Sequence, residues 1–264
     1  MAKPRFTKYF FLTRIQFLGF RYHGWQKQKT GHKTIQEMID KTLWFILGER
    51  NAKTLGASRT DAMVSADDFI CKITTKVEIS ADELFQKLNE NLPHDIRVLE
   101  LSQTSTDRNI IDESKTKTYH YYFCNGKKAN PMISPYMTNF VDQLDFDLMK
   151  EAAKAFEGPH DFKKFCYRPN ADKTFKRTIQ SASVKENDVL VANFFPEQSF
   201  YFEVIAQGFL RHQVRIMMGA LILVGSKKMT IEELKESLLG EDYQRVPLIA
   251  PASGLKLYKT DFTF

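Results

Sequence analysis

Hydrophobic and polar positions along this chain follow two periods in turn, and the switches between them mark out its elements. Tyr9 to Phe17 is aromatic and β-branched enough to predict a strand. Thr34-Ile35-Gln36-Glu37 has the spacing of a capping box, after which Ile35, Met38, Ile39, Leu43 and Ile46 share one helical face until Gly48 stops the run. Ala52 to Ala57 and Asp68 to Thr75 predict two strands. A second box, Ser80-Ala81-Asp82-Glu83, opens a helix that ends before Pro93, and Ile96 to Leu101 predicts one more strand. The order β-α-β-β-α-β is that of a ferredoxin-like unit, an antiparallel sheet with both helices on one face and the other face free. A free sheet face is a frequent RNA-binding surface.

From about Lys117 the order begins again. Tyr119 to Phe123 predicts a strand, and Phe146 to Phe156 a helix closed by Gly158. Strands at Thr178 to Val184, Val189 to Phe195 and Phe200 to Ala206 lead to an apolar helix, Phe209 to Val224, and a capping box at Thr230 and Glu233 marks one further helix. No repeat of sequence links the halves, only the order of elements. The expected fold is α+β: two ferredoxin-like (RRM-like) subdomains, 1–108 and 109–264, whose mainly antiparallel sheets join around a central cleft.

Composition narrows the function classes. The chain has 264 residues, 43% hydrophobic and 13% aromatic with 22 Phe, enough for a full core. A net charge of +6 and a pI near 9.0 push mildly toward a polyanionic partner. Cys71, Cys124 and Cys166 are odd in number, far apart and without Cys-x-x-Cys spacing, so neither a disulfide framework nor a zinc cluster is indicated, and a reducing cytoplasm is the expected compartment. The apolar run from Ile216 to Gly225 is too short to span a bilayer. Neither of the glycine-rich nucleotide loops, Gly-x-Gly-x-x-Gly and Gly-x-x-x-x-Gly-Lys-Ser/Thr, occurs, and no cofactor is expected.

Four segments carry candidate chemistry. Ser58 to Ala66 sets Asp61 two positions after Arg59 in a polar break between strands, where a carboxylate can be lifted from the sheet and held as a nucleophile or base; a surface turn accounts for the same residues. In Lys117-Thr118-Tyr119-His120-Tyr121-Tyr122, strand alternation puts Tyr119 and Tyr121 on one face and His120 and Tyr122 on the other, so a ring could stack on a base or simply pack. Arg211 and Arg215 lie one turn apart at the start of the apolar helix, where a buried arginine calls for a carboxylate partner; a buried ion pair without chemistry accounts for them equally well. Tyr22-His23-Gly24-Trp25-Gln26-Lys27-Gln28 mixes aromatics, amides and cations, as a nucleic-acid contact or a solvated turn would.

In this order the segments resemble the TruA family of tRNA pseudouridine synthases nearly end to end. Tyr22 to Gln28 is similar to the family's opening motif, Arg59-Thr60-Asp61-Ala62 to its catalytic loop and Asn91-Leu92-Pro93-His94-Asp95-Ile96 to its Asn-Leu-Pro-x-Asp-Ile segment. Lys117 to Tyr121 resembles the active-site tyrosine strand, Gly158 to Phe162 a family helix end, Phe209 to Arg215 the arginine helix and Ala250-Pro251-Ala252-Ser253-Gly254-Leu255 the C-terminal motif. The resemblance implies an isomerase that detaches uracil from its ribose and rejoins it through C5, without metal or cofactor. It implies Asp61 as nucleophile, attacking ribose C1′ or the uracil ring, Arg215 as its ion-pair partner, and Tyr119 stacked on the uracil and helping to remove the C5 proton. Arg59 would help displace the base from its stack. The implied substrate is tRNA, at positions 38, 39 and 40 of the anticodon stem-loop, and the implied assembly a cytoplasmic homodimer.

The chain departs from the family at two places. Ser58 and Met63 stand where glycine is usual around the Arg-Thr-Asp triplet, and Ile110-Ile111-Asp112-Glu113-Ser114 replaces a run containing an arginine, bringing acids where phosphate contacts are expected. A retargeted or non-catalytic RNA-binding relative is the rival reading. Retention of Asp61, Tyr119 and Arg215 together argues against it.

Overall fold

The computed structural model describes residues 7–29, 31–48, 52–169, 174–240 and 244–264. The chain is mixed α+β and divides into two compact units, one of residues 1–115 with 259–264, the other of residues 116–258.

The first unit holds strands β1 (Tyr9–Phe17), β2 (Lys53–Gly56), β3 (Ser65–Thr75) and β4 (Ile96–Thr104), and helices α1 (Ile35–Leu47), α2 (Ala81–Asn91) and α3 (Ile110–Glu113). Its strands run in the order β4-β1-β3-β2, every neighbouring pair antiparallel. Both long helices start as their sequences demand. Thr34 and Ser80 accept hydrogen bonds from the N–H groups of Glu37 and Glu83, and those glutamates pair one turn on with Lys41 and Lys87. Gly48 ends α1 in the left-handed conformation at φ 64°. Phe11, Ile15, Phe69, Ile39, Leu43, Leu84 and Leu88 are buried in its core.

One sheet face expected to be free is partly covered. Leu12, Ala57 and Ile70 form a buried cluster with Ile110 from α3 and with Phe262, which the chain's last stretch brings back to this unit. Polar bonds tie that stretch down. Arg14 grips both carboxylate oxygens of Asp68, at 2.7 and 2.8 Å, and donates to the Phe262 carbonyl at 2.7 Å, while Thr260 binds Asp68 through its N–H and its hydroxyl.

The second unit holds β5 (Lys117–Asn125), β6 (Thr138–Phe140), β7 (Gly158–Asp161), β8 (Lys176–Glu186), β9 (Phe200–Ala206) and most of β10 (Leu255–Thr260). The order is β10-β5-β9-β8-β7, with β6 parallel to the end of β5. Helices α4 (Phe146–Lys154), α5 (Gln213–Gly225) and α6 (Ile231–Glu236) complete it. α5 is buried along nearly its whole length, and it approaches α4 so closely that a Cβ on Gly225 would lie 2.8 Å from the Met149 side chain. Thr230 makes the full reciprocal box with Glu233 at the start of α6.

Three expectations are corrected here. Val189 to Phe195 forms no strand: Asn187 accepts from the N–H groups of Val189 and Leu190 and folds the segment into a loop, from which Leu190, Phe194 and Phe195 pack against Tyr122, Cys124 and Tyr201. The apolar helix begins at Gln213 rather than Phe209, because the Gln213 side chain accepts from the Leu210 N–H and His212 takes a left-handed backbone at φ 59°. Arg211 therefore precedes the helix and shares no helical face with Arg215. Gly158 to Asp161 is a strand and not a helix end; the preceding helix stops at Lys154, and Gly158, at φ 93°, turns the chain into β7.

Candidate active site

Residues 57–64 connect β2 to β3 and carry both Arg59 and Asp61. Arg59 is exposed and Asp61 half-buried, while Thr60 between them is buried. The loop is held from outside by the Tyr22 to Trp25 segment, through the backbone. Trp25 N–H donates to the Thr60 carbonyl at 3.3 Å, and Met63 N–H donates to the Tyr22 carbonyl at 2.9 Å. A third bond, Val64 N–H to the Asp61 carbonyl at 3.2 Å, closes a turn that starts at Asp61 itself. Approach is tight enough to need glycine at Gly24, where a Cβ would lie 2.4 Å from the Thr60 oxygen and φ is 85°.

The bracing segment is itself anchored. Trp25 is buried and stacks on Phe69 of β3 with centroids 4.1 Å apart. The Tyr22 hydroxyl donates to Asp95 at 2.7 Å, and Arg21 binds the other oxygen of the same carboxylate at 2.8 Å. Burial, then the bond to Asp95, pushes the Tyr22 phenol well above its usual range, so it stays a donor. Asn91 to Ile96 thus reaches the Asp61 loop indirectly: Asp95 holds Tyr22, and Tyr22 holds Met63.

Met63 has φ 67°, in the left-handed region that glycine favours. Ser58 does not take a left-handed backbone. Two hydroxyls flanking Arg59, Ser58 Oγ and Thr60 Oγ1, are buried without a protein hydrogen-bond partner. The acids of the Ile110–Ser114 segment are engaged locally. Glu113 accepts from Arg108 Nε at 2.8 Å, Asp112 from Asn109 at 2.7 Å, and Ile110 is in the core.

In the second unit Tyr119 lies on β5, 8% exposed, with its ring edge-on to Phe209 at 5.2 Å. Tyr121, on the same strand face, is buried and joins Thr138 Oγ1 at 2.9 Å and the Pro251 carbonyl at 2.8 Å. Arg215 sits in the first turn of α5, half-buried, and donates from Nε to the Ala250 carbonyl at 2.8 Å; the Ala250 N–H returns a bond to the Arg215 carbonyl at 3.0 Å. One turn on, Gly219 lets the Leu248 backbone lie where a Cβ would be only 2.1 Å from its carbonyl oxygen. Gly254, farther along, lies against β5, with its carbonyl accepting from Tyr122 N–H at 2.8 Å. The Ala250 to Leu255 motif therefore positions the arginine and the tyrosine strand together. Its role was not evident from residue types, since these bonds run through backbone atoms.

A family profile described as tRNA pseudouridine synthase matches residues 152–263. The chain is similar to the tRNA pseudouridine synthase A of Acetivibrio thermocellus, 33% identical over 243 residues that cover 92% of this chain and 95% of that protein. It is equally similar to those of Clostridium acetobutylicum, 33% over 245 residues (93% and 96%), and Dictyoglomus thermophilum, 33% over 250 residues (94% and 97%). With likeness of this extent on both sides of the alignment, the chain belongs to the TruA family of tRNA pseudouridine synthases.

Proposed function

We propose that this protein isomerises uridine to pseudouridine in the anticodon stem-loop of tRNA, at positions 38, 39 and 40, with Asp61 as the nucleophile. The observation that carries this reading is the turn at Asp61. A loop whose main chain is fixed by three backbone hydrogen bonds and an anchored tryptophan carries its aspartate preorganised, as a nucleophile must be to attack without reordering its own loop. An aspartate on a solvated turn has no need of a second segment fixed around it.

In this reading Arg59, exposed beside Asp61, displaces the target nucleotide, a step that costs a few kcal/mol of lost stacking. Tyr119, its ring set on edge by Phe209, receives the uracil face and assists removal of the C5 proton once the base is rejoined through carbon. Arg215 orients the nucleophile with a planar, permanently charged fork whose Nε end is fixed on Ala250. The two units are read as ferredoxin-like subdomains, the first with the β4-β1-β3-β2 order that this architecture requires. The assembly is read as a homodimer in the cytoplasm. Among the described residues no helix is long and apolar enough to cross a membrane.

The test is release of tritium from tRNA carrying 5-tritiated uridine, with wild type and Asp61→Asn in parallel. The C5 hydrogen must leave in this isomerisation. Release by wild type alone is expected, followed by mapping of the modified positions; release by both would remove Asp61 from the mechanism, and binding without release would leave an RNA-binding protein.

A further inference from the structure

Three guanidinium groups of the second unit converge on one tyrosine ring. Arg211, Arg168 and Arg245 place their Cζ atoms 5.1, 5.3 and 5.5 Å from the Tyr167 centroid, and His212 stacks on the same ring at 4.7 Å. These residues come from three separate stretches of chain that backbone bonds pin together. Tyr167 N–H donates to the Arg211 carbonyl at 3.0 Å, and Val246 N–H, next to Arg245, donates to the Lys164 carbonyl at 3.2 Å.

No carboxylate among the described residues pairs with any of the three arginines. Like charges this close repel, because exposed charges remain coupled within a screening length of about 10 Å at 0.1 M salt. Among the described residues no acid offsets that repulsion, which leaves the exposed guanidinium groups suited to an anion from outside. One donor, Arg245 Nε, is buried without a partner among the described residues, while Arg168 and Arg211 are exposed. Arg211 and His212 also precede the first turn of α5, a 13-residue helix with no side-chain cap, so the helix adds its own positive end. Two of the chain's left-handed non-glycine residues, Arg168 and His212, at φ 51° and 59°, flank the ring.

We infer that Tyr167, Arg168, Arg211 and Arg245 form a binding site for a backbone phosphate of the RNA substrate. The inference rests on the tRNA-modifying reading above. Arginine forks suit phosphate because two N–H groups can meet two oxygens at once, and the tyrosine ring holds the forks in place through its face. Phe209, two residues before Arg211, is the side chain that sets the Tyr119 ring, so a phosphate seated here would be registered against the residue that faces the uracil.

The test is the salt dependence of tRNA binding, measured on an unmodified transcript for wild type, for Arg168→Gln with Arg211→Gln, and for the same two positions changed to Lys. Both positions are exposed, and circular dichroism of each variant checks that it is folded. The glutamine pair is expected to raise Kd about tenfold and to make the slope of log K against log salt shallower by about one, as loss of one phosphate contact requires. The lysine pair should keep most of the slope and lose part of the affinity. A glutamine pair with wild-type Kd and slope would overturn the site, and so would a raised Kd with an unchanged slope. Wild type that binds no tRNA overturns the site and the function together. Wild type that binds through the cluster but releases no tritium overturns only the isomerase reading.

Discussion

Met63 takes a backbone conformation that costs an L-residue about 1–2 kcal/mol, and it does so in the loop that carries Asp61. Of the two positions where the family's usual glycine is replaced, only this one needs what glycine offers; Ser58 does not. Met63→Gly is therefore expected to gain up to about 1 kcal/mol in urea unfolding, after the greater freedom of glycine in the unfolded chain is subtracted, whereas Met63→Val should lose about as much. A glycine variant less stable than wild type would show that the methionine side chain contributes more than its backbone costs. Tyr119 separates a hydroxyl role from a ring role. Tyr119→Phe keeps the edge contact with Phe209, so kcat in the tritium assay should fall at least a hundredfold with KM little changed if the hydroxyl handles the C5 proton. An increase confined to KM would leave the ring as a binding platform alone. Residue types raised Asp61, Tyr119 and Arg215 as candidates beside Tyr121 and Arg211, and only the resemblance of their motifs chose among them. They could not show how those residues are held, because the Trp25 bond to Thr60 and the Arg215 exchange with Ala250 use main-chain groups that every residue possesses.

At the scale of elements, legibility followed local chemistry. The capped helices were foreseen because Thr34, Ser80 and Thr230 act on N–H groups three residues away. The start of α5 and the fate of Val189 to Phe195 were not, because apolar runs state that a segment is buried without stating its backbone shape, and single side chains, Gln213 and Asn187, decided the matter by bonding nearby N–H groups. Strands β6 and β7 are short and lack alternation, so pairing partners distant in sequence define them. The coupling of loops in the first unit yields a prediction of the same kind. Tyr22→Phe removes the hydroxyl that Asp95 holds while keeping the ring. Stability should fall by about 1 kcal/mol and turnover by more than the corresponding factor of five, because the segment bracing Met63 loosens. Equal loss in Asp61-dependent turnover and in stability would mean that the brace serves folding only.

For the whole molecule, the response to acid has an identifiable source. His120 is buried, with Nε2 at 2.9 Å from Glu203 and Nδ1 at 2.9 Å from the Tyr122 hydroxyl. A carboxylate only accepts, so Nε2 carries the hydrogen and the neutral ring accepts from Tyr122. Burial lowers the imidazole below its usual 6.5, although Glu203 pulls the other way. Burial would by itself raise Glu203, but bonds from Lys185 and His120 outweigh it and hold the carboxyl below 4.5. Both groups are depressed in the folded state, so the unfolded chain binds more protons. Their stabilisation is complete above about pH 6.5 and is lost as pH falls, first through His120 and then, below 4.5, through Glu203. Melting temperature should drop between pH 7 and 5, and His120→Gln should flatten that limb; an unchanged limb would place the acid response elsewhere. Phe262, buried with Leu12 and Ile70, is expected to cost about 3–5 kcal/mol when changed to Ala, read as a loss of urea stability. The return of residues 259–264 to the first unit also has a consequence in time. A ribosome adds about 5–20 residues per second, so the apolar patch formed by Leu12, Ile70 and Ile110 waits roughly 7–30 seconds after residue 115 emerges before its lid is synthesised. During that interval the nascent first unit presents an open hydrophobic surface of the kind that chaperones acting on unfinished chains cover.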